Sequence, residues 1–481
     1  MPVTQQNRRF GWAALREGKA VEPNACLQAI GFLYGIIGRI QFCKNEITNK
    51  GEHLMAEIIN GKELYNIVRK TLSMMNEEVI RHGEISGYIL YKMLQMDNQY
   101  NKQDLVDYTM VGILHDLGIY KIQDFEDIAT FKPVNAWSHS IYGYLFMRDL
   151  SPFSKYADIV LYHHLYYNKS RYINSENSTV IEYLNFADKM DAFLFDKDSP
   201  IRATYFQDYR DRSFSSNAQT VFLKAEKKFN ITANILNGSY QEELNTLLSK
   251  KLFSETYKRQ LLEMLIYLID FRSEVTVVHT LSTVCFAMEL GRLMRLSAYD
   301  MQILHYGSLL HDVGKLSIPL EILEAPRRLT DEEMAVMRTH VEITEEILRG
   351  VVGEEILEIA IRHHEKLDGS GYHRGLRAEQ LTLPQRIVAV ADIISALYDK
   401  RSYKEGFEAD QIKSILQKDA DAGKIDPDVV ACAIRNFTSI EANCKKARRN
   451  TIGTYRRMQM EYDLQIQRFQ ELENITVLEH S

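Results

Sequence analysis

The stretch "SLLHDVGKLSI", residues 308–318, places a His, an Asp and a Lys within five positions of an otherwise apolar run. Earlier in the chain, "GILHDLGIYKI", residues 112–122, repeats the His-Asp pair and the glycine, but an isoleucine stands at the position of the lysine. Ionisable side chains are costly to bury in apolar surroundings unless they are paired or bind a metal. The two stretches therefore predict two related sites, and only the second has the cation.

The two His-Asp pairs belong to a longer repeat. Each copy has a single His, the His-Asp pair, a further His, a His-His pair and an Asp, and corresponding residues lie 196 to 204 positions apart. The first copy is His82, His115, Asp116, His139, His163, His164 and Asp188. The second copy is His279, His311, Asp312, His340, His363, His364 and Asp392. Ten of the 14 histidines fall in this pattern, which predicts two homologous modules.

The rest of the chain indicates an all-α protein with two tandem helical domains and helical extensions at both ends. Only nine of its 481 residues are proline, and long runs such as residues 245–271 have apolar side chains at helical spacing. We expect an N-terminal helical extension over 1–60, modules over 61–250 and 251–440, and a C-terminal helix over 441–481. That last helix is expected either to pack on its own module or to bind a partner.

Composition limits the class of partner and the compartment. The net charge of −7 argues against binding to duplex nucleic acid. The five cysteines are scattered without a CxxC pair, so we expect neither a disulfide framework nor a zinc knuckle, but a reducing cytoplasm. The apolar stretch 26–42 is too short and too polar to span a membrane, and the first residues do not resemble a signal peptide. Membrane binding is therefore not expected, and homodimer formation is left open.

The repeated residues are typical ligands for divalent transition metals. Imidazole and carboxylate groups suit Mn, Fe, Zn or Ni, and no thiolate competes with them. The ligands of the second module outnumber those that one tetrahedral ion needs, so we predict two ions, iron or manganese, with Asp312 as the bridge. If the helix continues through the motif, Lys315 lies on the same face as His311, where its charge could neutralise a phosphate oxygen.

Three stretches together carry a resemblance to a known family. "HDVGK" (311–315), "HHEKLDGSGY" (363–372) and "ADIISALYDKRSYK" (391–404) resemble the HD-GYP family of metal-dependent phosphodiesterases, which hydrolyse cyclic dinucleotides, chiefly cyclic di-GMP. The resemblance implies that Asp312 and Lys315 are catalytic and that the seven His and Asp residues of the second copy bind metal. It also implies that the substrate is held by Gly371, Tyr372, Arg401 and Lys404.

The second module departs from the family at three positions. His373 replaces the proline of the signature loop, which removes a fixed φ angle. Val341 replaces a proline after the third histidine ligand. Val275 stands where some members have a glutamate that holds a third metal, so we expect two ions in this module.

The first module resembles the broader HD superfamily but lacks most of the catalytic features. It has no DGxGY loop, Ile119 takes the place of the lysine, and Lys197 and Pro200 stand at the two phosphate-binding positions. Glu78, four residues before His82, shares its helical face, so two or three ions are expected in this module: Glu78 holds the third, or is a solvated helix residue. A regulatory or ligand-binding role, a hydrolase of altered specificity and a structural role are the three alternatives for this module.

For the whole chain, the sequence favours a cyclic dinucleotide phosphodiesterase that forms a linear product in the second module, with cyclic di-GMP as the preferred substrate. The alternatives are another HD-type nucleotide phosphohydrolase and a nucleotide-binding sensor without turnover. Lys315, Arg401 and Lys404 favour hydrolysis over sensing, whereas His373 leaves room for a different substrate.

Overall fold

The computed structural model describes residues 58–97, 99–121, 133–195, 204–249, 253–270, 279–398 and 406–478. Nearly all of the predicted N-terminal extension, including the apolar stretch 26–42, therefore lies outside the described residues. The chain from Ile58 to Ser481 forms one compact unit that contains both copies of the repeat. The division into modules at residue 250 stays a prediction.

The described residues are almost entirely helical, which confirms the predicted all-α fold. The helices of the first half are α1 (Gly61–Met75), α2 (Glu77–Asp97), α3 (Lys102–Ile113), α4 (Pro133–Leu150), α5 (Ala157–Tyr162), α6 (Ser178–Phe195), α7 (Tyr205–Asp208), α8 (Ser216–Phe229), α9 (Ile231–Leu236) and α10 (Tyr240–Ser249). The second half contains α11 (Glu255–Asp270), α12 (His279–Leu293), α13 (Ala298–Leu310), α14 (Leu320–Leu323), α15 (Asp331–Leu348), α16 (Glu354–Ile361), α17 (Leu383–Tyr398), α18 (Ala409–Asp421) and α19 (Pro427–Leu478). Within the described ranges the β-structure is limited to two isolated bridges.

Several helices begin at sequence signals that satisfy their free N–H groups. Asn60 caps α1 in a capping box with Glu63, and Thr330 caps α15 in the same way with Glu333. In each box the cap side chain accepts from a backbone N–H while the glutamate accepts from the backbone of the cap residue. Such caps fix where α15 starts, and therefore where His340 lies along it.

The same packing scheme occurs around both copies of the repeat. The helix with the first histidine packs against two others: α2 contacts α3 and α6, and α12 contacts α13 and α17. The helix with the third histidine, α4 or α15, packs against a short 3-10 helix that follows the His-Asp pair. The sequence repeat is therefore also a repeat of helix packing.

The C-terminal helix α19 is longer than expected and begins at Pro427, inside the range predicted for the second module. It packs on α12 of the second half and on α4 of the first. Cys444 of α19 forms a disulfide with Cys285 of α12, a single pair that the expectation of no disulfide framework did not foresee. The two cysteines are far apart in sequence and meet because the helices pack. No helix in the described part of the chain is long and apolar enough to cross a membrane.

Candidate metal centres

Each His-Asp pair lies where an α-helix gives way to a 3-10 helix. In the second half α13 ends at Leu310, and the 3-10 helix covers Val313–Ser317. The α-helix therefore does not continue from His311 to Lys315, and the condition under which the two would share a helical face is not met. The tighter turn nevertheless directs the Lys315 Nζ to Asp312 Oδ2, to which it donates a hydrogen bond.

The glycine of each motif allows this turn to lie against the helix that carries the third histidine. A Cβ atom on Gly314 would be 2.0 Å from the carbonyl oxygen of His340, and one on Gly118 would be 1.9 Å from that of His139. Both distances are far below van der Waals contact, so only glycine fits without a backbone shift. The glycines therefore bring the third histidine next to the His-Asp pair.

In the second module, Asp312 presents one oxygen to each of two groups of histidines. Its Oδ2 lies 3.1 Å from His311 Nε2 and 3.5 Å from His279 Nε2. Its Oδ1 lies 3.4 Å from His340 Nε2 and 3.8 Å from His363 Nε2. This is the arrangement expected of a carboxylate that bridges two ions.

Asp392 also presents one oxygen to each of the two groups. Its Oδ1 lies 3.1 Å from His279 Nε2, and its Oδ2 lies 3.8 Å from His364 Nδ1. The cluster contains two sets of residues, each of which could hold one ion. Within each set the ligand atoms lie within 4.8 Å of one another: His279, His311 and Asp312 form one set, and His340, His363 and His364 form the other.

The first module repeats this geometry. Asp116 Oδ2 lies 3.6 Å from both His82 Nε2 and His115 Nε2, and its Oδ1 lies 3.4 Å from His139 Nε2 and 3.5 Å from His163 Nε2. The corresponding metal-competent sets are His82, His115 and Asp116, and Asp116, His139, His163 and His164. Asp188 again faces both, because its Oδ1 lies 3.1 Å from His82 and its Oδ2 3.5 Å from His164.

Hydrogen bonds orient the histidines as metal ligands. Five of them donate from Nδ1 to a backbone carbonyl three residues earlier, at 2.6 to 2.7 Å: His115, His163, His311, His340 and His363. The Nε2 lone pair of each ring is then available to an ion. Among the described residues, buried Nε2 of His115, His163 and His311 and Oδ1 of Asp116 and Asp312 have no hydrogen-bond partner. Buried nitrogen and oxygen atoms without a hydrogen-bond partner are suited to bind divalent cations.

Burial and charge set the protonation states that ligands need. Burial lowers the pKa of His139 and of His163 to about 4, so both rings are neutral at neutral pH. Burial alone would raise the pKa of Asp312, but His311 and Lys315 outweigh it and hold that pKa well below its usual range. The pKa of His311 is raised to about 10 because Asp312 and Asp392 outweigh burial. Metal binding at His311 must therefore release a proton.

Two residues that the sequence analysis missed contact the first histidine of each cluster. His82 Nδ1 donates to Asp191 Oδ2 at 2.7 Å. At the corresponding position of the second module, the Ser395 hydroxyl lies 3.0 Å from His279 Nδ1 and donates to the His279 carbonyl. Both residues come three positions after the last Asp ligand, and this spacing along a helix is the signal that could have revealed them.

The signature loop places an aromatic ring against the second cluster. Tyr372 stacks on His364 with a centroid distance of 4.6 Å, and the Arg338 guanidinium lies 5.0 Å from the tyrosine ring. A Cβ on Gly371 would lie 2.4 Å from the backbone nitrogen of Lys366, so this position needs glycine. Tyr372 thus lies at the metal centre, whereas Gly371 permits the close turn of the loop.

His373, which replaces the proline of the family, anchors the loop through its side chain. Its Nε2 lies 2.7 Å from Glu345 Oε2 on α15, the helix that carries His340. The buried Glu365 carboxylate accepts from the backbone N–H groups of Arg374 and Leu376 at 2.7 and 2.9 Å. The His373–Glu345 hydrogen bond and the backbone bonds to Glu365 therefore hold the loop where the proline ring would have restricted it.

Several predicted residues do not join the clusters. Glu78 is exposed in the first turn of α2 and belongs to none of the metal-competent sets among the described residues, so we leave it out of the ligand set. Ile119 is buried beside the first His-Asp pair, and its amide donates to the Asp116 carbonyl at 3.0 Å. The residues Lys197, Pro200, Val275, Arg401 and Lys404 lie outside the described residues.

Comparison with known proteins finds similarity around the second cluster. Residues 263–429 match the model of the HD domain family. The chain is 24% identical over 413 residues to 3'3'-cGAMP-specific phosphodiesterase 1 of Vibrio cholerae, with 79% of this chain and 92% of that protein covered. It is 36% identical over 194 residues to the cyclic di-GMP phosphodiesterase response regulator RpfG of Xanthomonas campestris, with 40% of this chain and 51% of that protein covered.

Among solved structures, a cyclic GMP-AMP-specific phosphodiesterase of V. cholerae aligns with 81% of this chain and 98% of its own, at 17% identity and a TM-score of 0.48. The HD family match covers the helices that carry the His311 cluster, and the curated relatives are phosphodiesterases for cyclic dinucleotides. Over residues 263–429 the chain is thus similar to the HD domain family, and it is similar to phosphodiesterases for cyclic dinucleotides.

Proposed function

We propose that the second module hydrolyses a cyclic dinucleotide to a linear product. The observation that carries this proposal is the pair of histidine groups facing the two oxygens of Asp312, with Lys315 bonded to the same carboxylate. The names of the relatives support the substrate class.

The chain's own residues have distinct roles in this reaction. The two ions would be held by the two histidine sets with Asp312 and Asp392, and when bound they polarise the phosphodiester and supply a hydroxide at neutral pH. Lys315 is a cation 19% exposed at the edge of the cluster, where it can neutralise charge that develops on phosphate oxygens. Tyr372 and Arg338 offer an aromatic face and a positive charge to the substrate beside His364.

Two cyclic dinucleotides are candidates for the substrate. The signature loop favours cyclic di-GMP by resemblance, whereas the relative aligned over most of both chains is named for 3'3'-cGAMP. Both candidate substrates contain 3'-5' phosphodiester bonds in a ring that carries two purine bases. A purine-binding surface at Tyr372 accommodates either ligand, so the choice rests on measurement.

The first module is proposed to bind metal and to regulate or bind ligand rather than to hydrolyse the same substrate. It has the same two histidine groups around Asp116, yet Ile119 is buried where the second module has Lys315. Without that cation, charge developing on a phosphate lacks one stabilising group. We propose two ions for each module, in iron- or manganese-loaded protein.

The test is a comparison of two matched double variants of the full chain. Purified protein with measured metal content is incubated with cyclic di-GMP, 3'3'-cGAMP and cyclic di-AMP, and linear products are quantified. His311→Ala with Asp312→Ala should abolish hydrolysis, whereas His115→Ala with Asp116→Ala should retain much of it. Equal loss in both variants would refute the assignment of chemistry to the second module. Hydrolysis of nucleoside phosphates alone would instead support another HD-type phosphohydrolase.

A further inference from the structure

The first module has its own loop at the position of the signature loop. Tyr172 follows His164 by eight residues, as Tyr372 follows His364. In the first module the intervening segment forms a 3-10 helix over Tyr167–Tyr172. The loop therefore leaves the metal ligands at the same point of the chain in both modules, although its sequence differs.

This loop is part of an exposed aromatic surface. Tyr166 is 49% exposed and Tyr209 is 38% exposed, which is unusual for aromatic side chains. Tyr209 stacks on Tyr205 with a centroid distance of 4.5 Å. We call Tyr166, Tyr205 and Tyr209 the tyrosine patch. Exposed tyrosines grouped in this way provide flat faces on which a nucleobase can stack.

The backbone holds the two parts of the tyrosine patch together. The amide of Tyr167 donates to the Ser213 carbonyl at 3.4 Å, and that of Asn168 donates to the Arg212 carbonyl at 3.1 Å. These bonds tie the loop that carries Tyr166 to the turn that follows Tyr209. The patch is thus a fixed surface and does not depend on side-chain contacts alone.

The tyrosine patch borders the first metal cluster. Tyr205 is half-buried within electrostatic reach of Tyr166 and Asp188; burial raises the pKa of Tyr205, and the charges of both neighbours raise it further. Asn185, one turn before Asp188, donates to the carbonyls of His163 and Leu165 at 2.7 and 3.1 Å. The same side chain therefore fixes the backbone that leads from the metal ligands to Tyr166.

A buried cation lies beside the patch. Lys169 is 8% exposed, and its Nζ lies 6.0 Å from the centroid of the Tyr166 ring. The Lys169 amide donates to the Tyr166 carbonyl at 2.9 Å, whereas its Nζ has no hydrogen-bond or ion-pair partner within the part of the chain that the structure describes. Arg212 lies 5.7 Å from the Tyr209 ring and adds a second positive charge. With no carboxylate partner, the Lys169 ammonium is available to an anionic ligand.

We infer that the first module binds a cyclic dinucleotide, with a base on the tyrosine patch and a phosphate between Lys169 and the His115 cluster. The identity of the ligand as a cyclic dinucleotide rests on the proposed function. The description of the aromatic and cationic surface is independent of that function. Ile119 stands where the second module has Lys315, so this site lacks the cation that would stabilise charge on the phosphate. It therefore holds its ligand without rapid hydrolysis. The chain would then have a binding site separate from its catalytic site.

The experiment removes the second site and measures binding at the first. Full-length protein with His311→Ala and Asp312→Ala, loaded with Mn²⁺, is titrated calorimetrically with cyclic di-GMP and with 3'3'-cGAMP. We expect saturable binding of at least one of them. Adding Tyr166→Ala should weaken it roughly 10- to 100-fold, because one stacking face is lost. Lys169→Met should weaken it about tenfold and reduce its salt dependence.

Matched variants distinguish loss of the site from loss of the fold. Tyr166→Phe keeps the ring and should retain affinity, and Leu223→Ala removes an exposed apolar side chain elsewhere in the module and should have no effect. No binding to the background variant, or binding that neither Tyr166→Ala nor Lys169→Met weakens, would overturn the inference. If Tyr166→Ala fails to fold, Lys169→Met decides. Hydrolysis by wild-type protein is measured separately, so failure of the proposed function is recognised independently of this binding.

Discussion

At the scale of single residues, the two clusters differ in charge although their ligands correspond. Lys315 donates to Asp312 in the second module, whereas the first has the buried Ile119. The cation favours the ionised carboxylate and is positioned for a phosphate. The difference at this one position underlies the proposal that the second module catalyses hydrolysis and the first binds ligand.

Lys315→Met should lower kcat for the cyclic dinucleotide by roughly 100- to 1000-fold, the usual cost of losing one preorganised electrostatic group. Metal content should be unchanged, because Lys315 is not a ligand. Steady-state kinetics and elemental analysis measure both quantities. Lys413→Met, which removes a lysine paired with the exposed Asp410, is the control for lost surface charge. Unchanged turnover in Lys315→Met would show that the lysine does not act on the substrate.

A second residue-scale difference concerns the partner of the first histidine. Asp191 accepts from His82 Nδ1, whereas His279 Nδ1 contacts the Ser395 hydroxyl. A carboxylate makes the imidazole a more basic and better oriented ligand than a hydroxyl does. The first cluster therefore has the stronger metal-binding histidine.

Asp191→Ser should weaken Mn²⁺ binding by the first module by roughly 10- to 100-fold. The reciprocal change, Ser395→Asp, should strengthen binding by the second. Each variant is measured in a protein whose other metal cluster is removed by its His→Ala and Asp→Ala double substitution. Competition with a chelator then gives the Mn²⁺ dissociation constant of the remaining cluster. The same affinity in Asp191→Ser and in its parent protein would mean that this hydrogen bond does not tune the metal.

At the scale of elements, the signature loop depends on α15. His373 pairs with Glu345, one turn beyond the part of α15 that carries His340. The pairing links the loop to the same helix that supplies a metal ligand. Tyr372, the next residue, is consequently held in its stack on His364. Loop position and metal geometry are therefore coupled through one helix.

Glu345→Ala should raise KM for the cyclic dinucleotide about tenfold, which corresponds to ~1.4 kcal/mol, and should change kcat little. The reason is that the loop positions substrate but holds no metal. Glu342→Ala is the matched control, because Glu342 lies on the same helix, is mostly exposed and only reaches His373 at 4.0 Å. A fall in kcat with unchanged KM would place the loop in the chemical step instead.

At the scale of the whole molecule, α19 connects the two halves of the compact unit. Its early part packs on α12, and Phe469 near its end is buried and stacks on Trp137 of α4 at 4.2 Å. Tyr462 stacks on Tyr142 of the same helix at 4.3 Å. Since α4 also carries His139, the last helix stabilises the first metal cluster from outside.

Phe469→Ala should reduce the free energy of unfolding by about 3 to 5 kcal/mol, as expected for truncation of a buried aromatic side chain. Leu464→Ala on the same helix removes a side chain that is 54% exposed and should change that free energy by less than about 0.5 kcal/mol. Denaturant unfolding of both variants measures the difference. Equal stability of the two would mean that the stack on Trp137 does not hold α19 to α4.

The sequence by itself determined the all-α fold, the repeat and the metal-binding residue types, because helical periodicity and ligand spacing are local properties of the chain. The HDxG glycine and the lysine at position 315 were also readable as a motif, since the turn that uses them is five residues long. These features follow from interactions between residues that are close in sequence.

Only the tertiary structure decided which residues the clusters contact. Asp191 and Ser395 were missed because their hydrogen bonds cross to another helix, and the exposed position of Glu78 depends on where α2 begins. The disulfide between Cys285 and Cys444 and the reach of α19 to α4 join residues that are distant in sequence. Helical spacing fixes which face a side chain occupies, but the packing of helices decides what that face meets.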